Sequence, residues 1–276
     1  MIIRIARLTA AEFLKLSAHP FLYFSLAILL ASTLSAEILQ PMFLGQKETA
    51  WRAYHSVQLF AYGFKFGLQI ATLVLLIFSS MTFAGEFDRG TIKNLLTRPI
   101  TRGEFFVAKS VTVVGLAGLL FFFVLFVSLV YAFWKGNLGP VWDDRQYIMM
   151  RGGAEIAAYA RKAVAMTFFS FLAAGFLGIL ISNLTDSSGY AVAIGLVLFL
   201  FGDVITGMLS DAAQQKVFLY YAPYALEKLR LFGEGTTTRW NPDIDRTFSW
   251  VTIPAAYSAV FIPLAFSIFR VRNIHA

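Results

Sequence analysis

The sequence predicts an all-α, polytopic membrane protein, and three observations carry that prediction. Hydrophobic residues make up 58% of the 276-residue chain. Charged residues make up only 14%, against about 25% in an ordinary soluble domain. The apolar content falls into six stretches, each long enough to cross about 30 Å of hydrocarbon at roughly 1.5 Å per residue. A core for a chain of this length does not consume so much apolar surface, so the excess faces lipid. The same composition argues against a soluble enzyme and a disordered chain. The absence of Cys argues against a disulfide scaffold, a thiolate metal site and a cysteine nucleophile.

The elements follow in chain order. Residues 1–18 read as an amphipathic helix lying on the membrane. At about 100° per residue, Arg4, Arg7 and Lys15 share one face, while Ile2, Ile5, Ala6, Phe13 and Leu16 fall roughly opposite. It does not have the pattern of a cleavable signal peptide. Pro20 then opens the first span, 21–39, at a position helices tolerate. The second and third spans, 57–84 and 105–133, exceed the bilayer thickness and must tilt or protrude. The fourth, fifth and sixth cover 163–182, 189–209 and 251–269. Two longer connections lie between them. One, 134–162, contains the helical-looking stretch 154–161. The other, 210–250, carries Phe218, Tyr220, Tyr221 and Tyr224. These aromatics read as an interface belt or a short helix dipping into the membrane; the sharper reading is a lid over a substrate exit.

Six spans put both termini on one side. Lys and Arg are denser there, with Arg4, Arg7, Lys15, Arg89, Lys93, Arg98, Arg102, Lys109, Arg270 and Arg272 close to span ends. The positive-inside rule makes that side cytoplasmic. The net charge of +7 then expresses orientation and affinity for anionic lipid, with no nucleic-acid partner. The expected location is the inner, cytoplasmic membrane, multi-pass, with both termini in the cytoplasm.

The segment between the second and third spans has the clearest punctuation. Gly90 lets the chain leave the second span. Thr91 is placed to cap a new helix, in which Ile92, Leu95 and Leu96 form an i, i+3, i+4 apolar face. Pro99 disfavours helix at Arg98 and ends it. Thr101 and Glu104 form a capping box where the third span begins. A short amphipathic helix between two sharp stops, 90–98, suits a groove on a partner protein.

Other constellations are weaker. His19, His55 and His275 are far apart and no His-Glu-x-x-His pair occurs, so no zinc or other metal site is expected. Met149-Met150 has no nearby His or Cys to make a copper site. Glu37, Lys65 and Asp203 lie in or near spans, where ionisable groups face the bundle or a watery path. Lys65 and Asp203 are read as pathway residues or as a structural pair, with Lys65 also able to snorkel outward. Gly63-x-x-x-Gly67 permits close helix approach and is read as a possible dimer seam.

The residues Glu86, Gly90, Thr91, Leu95, Leu96, Pro99, Arg102 and Lys109 together resemble the segment after the second span in type-2 ATP-binding-cassette permeases. The stretches 11–16, 180–188 and 220–223 are similar to that family's interface helix, its tight turn between the fourth and fifth spans, and its outer helices. The resemblance implies a six-span permease subunit, without catalytic residues of its own, in an ATP-driven exporter. Gly90, Thr91, Ile92, Leu95, Leu96 and Arg98 would form the coupling helix that docks on an ATPase. No Gly-x-x-x-x-Gly-Lys-Ser/Thr occurs, so ATP and magnesium are expected in a separate ATPase subunit. A second permease chain and membrane lipids complete the implied partners. The alternative is a transmission scaffold, driving an extracytoplasmic partner with no solute crossing. A membrane-embedded enzyme is the least favoured reading, because no cluster of catalytic residue types gathers near one leaflet.

Overall fold

The computed structural model describes residues 2–43, 56–91, 100–136, 141–142, 149–151, 153–233 and 244–272, at some of them through the backbone only. The described residues form helices α1 (Ile2–Ser17), α2 (Pro20–Phe43), α3 (Ser56–Asp88) and α4 (Arg102–Lys135). A short antiparallel ladder of β1 (Val141–Trp142) and β2 (Met149–Arg151) follows. Helices α5 (Gly153–Leu184), α6 (Ser188–Met208), α7 (Asp211–Gln214), α8 (Phe218–Gly233) and α9 (Ile244–Val271) complete the fold.

Among the described residues, five helices are individually long and apolar enough to cross a membrane: α3, α4, α5, α6 and α9. The sixth candidate is the pair α1 and α2, bent by 66° at the break between them. The bend has a local cause. Pro20 starts α2, and the His19 ring accepts the Phe21 N–H at 3.3 Å. The all-α, multi-span architecture read from composition is therefore the observed one. Two boundaries differ from expectation. Helix α5 begins at Gly153 and absorbs the stretch 154–161, and α9 begins at Ile244 rather than near 251. A backbone already helical in the membrane extends into the polar flank one residue at a time at little cost, in α9 even with Pro254 and Pro263 inside the helix.

Helix α3 is the axis of the bundle, packed on by α2, α4, α5, α6 and α8. Small side chains make this possible. A Cβ on Gly67 would stand 2.6 Å from Val124 of α4 and overlap the Thr33 hydroxyl of α2, and Gly63 also faces Thr33. The Gly63-x-x-x-Gly67 stripe thus seats α2 and α4 of the same chain. This corrects its reading as a dimer seam: the groove between the glycines is filled before a second chain can reach it. On the other side of α3, Gly178 of α5 comes against Ser79, and the Ser182 hydroxyl oxygen accepts the Phe83 and Ala84 N–H groups at 2.8 and 2.9 Å. Several other buried hydroxyls turn back on their own helix. Thr33 donates to Leu29, Ser79 to Leu75 and Ser128 to Val124, each at 2.7 Å, as an apolar surrounding requires.

Aromatic rings fill the two halves of the core. Phe83, Phe105, Phe106 and Phe269 pack with centroids 5.2–6.1 Å apart, and Phe64, Phe121, Phe168 and Phe171 form a second group. Outward-facing Phe122, Phe126 and Phe133 on α4, with Leu200, Phe201 and Ile205 on α6, carry the apolar excess. Helix α1, the end of α3, the start of α4 and the end of α9 lie at one end, the charged end. On α3, Lys65 and Glu86 are about 31 Å apart at 1.5 Å per residue, which matches the hydrocarbon thickness of about 30 Å.

Gly67→Val is expected to destabilise the protein by about 1–3 kcal/mol through overpacking. The loss should be partly relieved by Thr33→Ala, and melting temperatures of the detergent-purified single and double variants measure both effects.

Candidate functional site

At the charged end, α1, α3 and α4 meet around one lysine. The expected capping box starts α4: the Thr101 hydroxyl accepts the Glu104 N–H at 3.2 Å, and Glu104 accepts the Thr101 N–H at 3.0 Å. Two turns later Lys109 points inward, with 4% of its side chain exposed. An ammonium group so placed must be paired. It donates to Glu12 of α1 at 3.0 Å and to Glu86 of α3 at 3.1 Å, with the Phe105 ring 5.2 Å away. Lys15 completes the square, 2.8 Å from Glu12 and 3.7 Å from Glu86. Two lysines and two carboxylates make it neutral. Partial burial works against the Lys15 ammonium, but the hydrogen bond and charge of Glu12, with Glu86 behind it, hold its pKa above the ordinary value.

The other Glu86 oxygen reaches past the end of α3. Gly90 takes a left-handed φ of 65°, which a glycine adopts without strain. The chain so turned lets the Thr91 hydroxyl donate back to the Glu86 carboxylate. That bond ties the Thr91 hydroxyl to α3, and the turn it was expected to cap lies outside the described residues. Glu86 therefore ties the first residue beyond Gly90 to α4 and, through Lys109, to α1.

A second set of contacts closes the same end. Asp88 accepts the Ser188 hydroxyl at 2.6 Å and the Ser188 N–H at 3.4 Å, placing a carboxylate at the N-terminus of α6. Arg272 donates to the Asn183 carbonyl at 2.9 Å, pairs with Asp186 and lies 3.8 Å over the Phe87 ring. Arg102 donates to the Arg270 and Arg272 carbonyls at 2.8 and 3.1 Å and so satisfies the free carbonyls at the end of α9.

The residues singled out from sequence are placed as follows. Gly90 and Thr91 lie at the root of the site, and Lys15 within it. Ile92, Leu95, Leu96 and Arg98, with the rest of the expected 90–98 helix after Thr91, lie outside the described residues. Arg4 and Arg7 are exposed on α1. The apolar face of α1 needs a correction: Phe13 packs over Gly115 of α4, and Ile5 and Leu16 are half-buried, while Ile3 and Leu14 are the apolar side chains left 70% exposed. Lys65 pairs with Glu227 of α8 at 2.5 Å, while the side chain of Asp203 lies outside the described ones. Helix α8 folds back between α3 and α5 and brings that carboxylate across 162 positions of sequence. Sequence reasoning missed Glu12, Asp88, Glu227 and Arg272 as members of sites. The i, i+3 spacing of Glu12 and Lys15 is the one local signal among them.

Lys109→Met is expected to destabilise the protein by about 2–4 kcal/mol, because two half-buried carboxylates lose a counter-charge and keep only Lys15. Adding Glu86→Gln should recover part of that loss. A double-mutant cycle on thermal unfolding reads the coupling.

The sequence is similar to known proteins over the region just described. It is 27% identical over 208 residues to the uncharacterized protein YhcI of Bacillus subtilis (strain 168), a match that takes in 73% of this chain and 64% of that relative. This chain thus spans less than two thirds of that relative's length. The family model for ABC-2 family transporter protein matches residues 8–202, from α1 through most of α6. A match over that much of the chain, including the whole charged square, shows that the protein belongs to the ABC-2 transporter family, and its apolar helices are those of a multi-pass membrane protein.

Proposed function

We propose that this chain is the permease subunit of an ATP-driven exporter, with both termini in the cytoplasm and residues 90–98 as its coupling helix. The observation that carries this reading is the double use of Glu86. One oxygen holds Thr91, at the start of the segment. The other holds Lys109, which in turn holds Glu12. A displacement of the segment is thereby delivered to α1, α3 and α4 together rather than absorbed by a loose loop. The partner is an ATPase subunit that binds ATP and magnesium and presses on Ile92, Leu95 and Leu96. This chain hydrolyses nothing itself. A second permease chain pairs with it and the path runs between the two. The dense basic residues at the charged end support the cytoplasmic assignment.

Because the chain has no Cys, single-cysteine probes are clean. Leu95→Cys is expected to cross-link to the co-expressed ATPase and to be labelled from the cytoplasmic side alone. Labelling from outside would overturn the topology. Leu95→Asp should either prevent assembly or leave a complex that hydrolyses ATP without transport, and unchanged transport would sink the docking role.

A further inference from the structure

Away from the charged end, a cavity of about 70 Å³ lies between α3, α5, α6 and α8. Most of its polar groups lie along α3, where Lys65, Gln69 and Thr72 stand on successive turns of one face; the other is Ser170 of α5, whose hydroxyl is spent on the Phe218 carbonyl. Beyond them the walls turn apolar, through Leu76 of α3, Leu177 of α5 and Leu198 of α6. From Lys65 to Leu76 the cleft runs about 16 Å at 1.5 Å per residue. That is half of a hydrocarbon core of about 30 Å, the depth of one leaflet. Lys65 stands at the membrane boundary remote from the charged end, since it lies one bilayer thickness along α3 from Glu86.

The charge distribution is one-sided. Lys65 lines the cavity, with its side chain 21% exposed, while its counter-ion Glu227 lies off the lining. The ammonium has three N–H donors and spends one on Glu227. The Gln69 amide is bonded by no described residue, and it adds further donors. Donors at a membrane boundary, above a narrow apolar slot one leaflet deep, match an amphiphile with an anionic head group.

We propose that this cleft takes a segment of one acyl chain of an anionic membrane lipid whose head group pairs with Lys65 and Gln69 in competition with Glu227. The site stands on its own whether or not the bound lipid is cargo, and it does not depend on the docking role of residues 90–98. The full chain is reconstituted in phosphatidylcholine vesicles carrying trace phosphatidylglycerol with a diazirine near the end of one acyl chain. The same tail on phosphatidylcholine serves as the neutral probe. After irradiation, the anionic probe is expected to label peptides containing Leu177 and Leu219. Lys65→Gln should cut that labelling about tenfold, the effect of losing one charge-assisted hydrogen bond. Glu227→Gln, which frees the lysine, should raise it. Gly202→Leu should lower it by filling the cavity, since a Cβ at Gly202 stands 3.3 Å from the end of the Leu219 side chain. Equal labelling by both probes that ignores Gly202→Leu would mean ordinary lipid contact and overturn the proposal. So would a change of the same sign in Lys65→Gln and Glu227→Gln, which would reduce the pair to a clamp between α3 and α8.

Discussion

An ammonium group 4% exposed at the end of an apolar bundle cannot stay charged alone. Lys109 solves this by recruiting one carboxylate from α1 and one from α3. Much of the charged end follows from that requirement. It fixes the rotation of α1, since Glu12 must face α4, and this brings Phe13 onto the space left open by Gly115. It fixes the end of α3, since Glu86 must face inward, and the freedom of Gly90 then returns Thr91 to the same carboxylate. The segment following Gly90 starts from a point held by three helices.

The two ends of α3 are built on the same rule with different results. At the charged end the cluster is closed and neutral, with its carboxylates little exposed. At the other, Lys65 pairs with Glu227, with 21% and 35% of their side chains exposed, and a partly solvated pair contributes less stability than a buried one. The first arrangement suits a permanent mechanical joint. The second is cheap to open, which is what a competing anionic ligand requires. Helix α8 serves both the pair and the cavity beside it. Its fold-back between α3 and α5 supplies Glu227 and a wall of the cavity, and its start is tied to α5 where Ser170 donates to the Phe218 carbonyl at 2.5 Å.

Legibility from sequence followed the range of the interaction. The Thr101–Glu104 capping box, the exit at Gly90 and the short turn between α5 and α6 involve neighbours in the chain, and each is found where residue types and spacing place it. The aromatic stretch after α6 was read as an interface belt or a dipping helix. The structure has it as α8, packed on α3 and α5. Gly63 and Gly67 signalled close approach correctly, but spacing alone does not say whether the neighbour is α2 or another chain.

The sequence by itself determined that this protein spans a membrane, where its helices run, and where the chain turns sharply. Hydropathy, helix capping and glycine freedom act over a few residues, and those few residues suffice to read them. The tertiary structure alone decided which charges meet. Glu12 with Lys109, Glu227 with Lys65 and Arg272 with Asp186 are joined across 97, 162 and 86 positions. Such pairs arise because a bundle end offers a buried charge few partners, and the packing of helices settles which of them comes within reach.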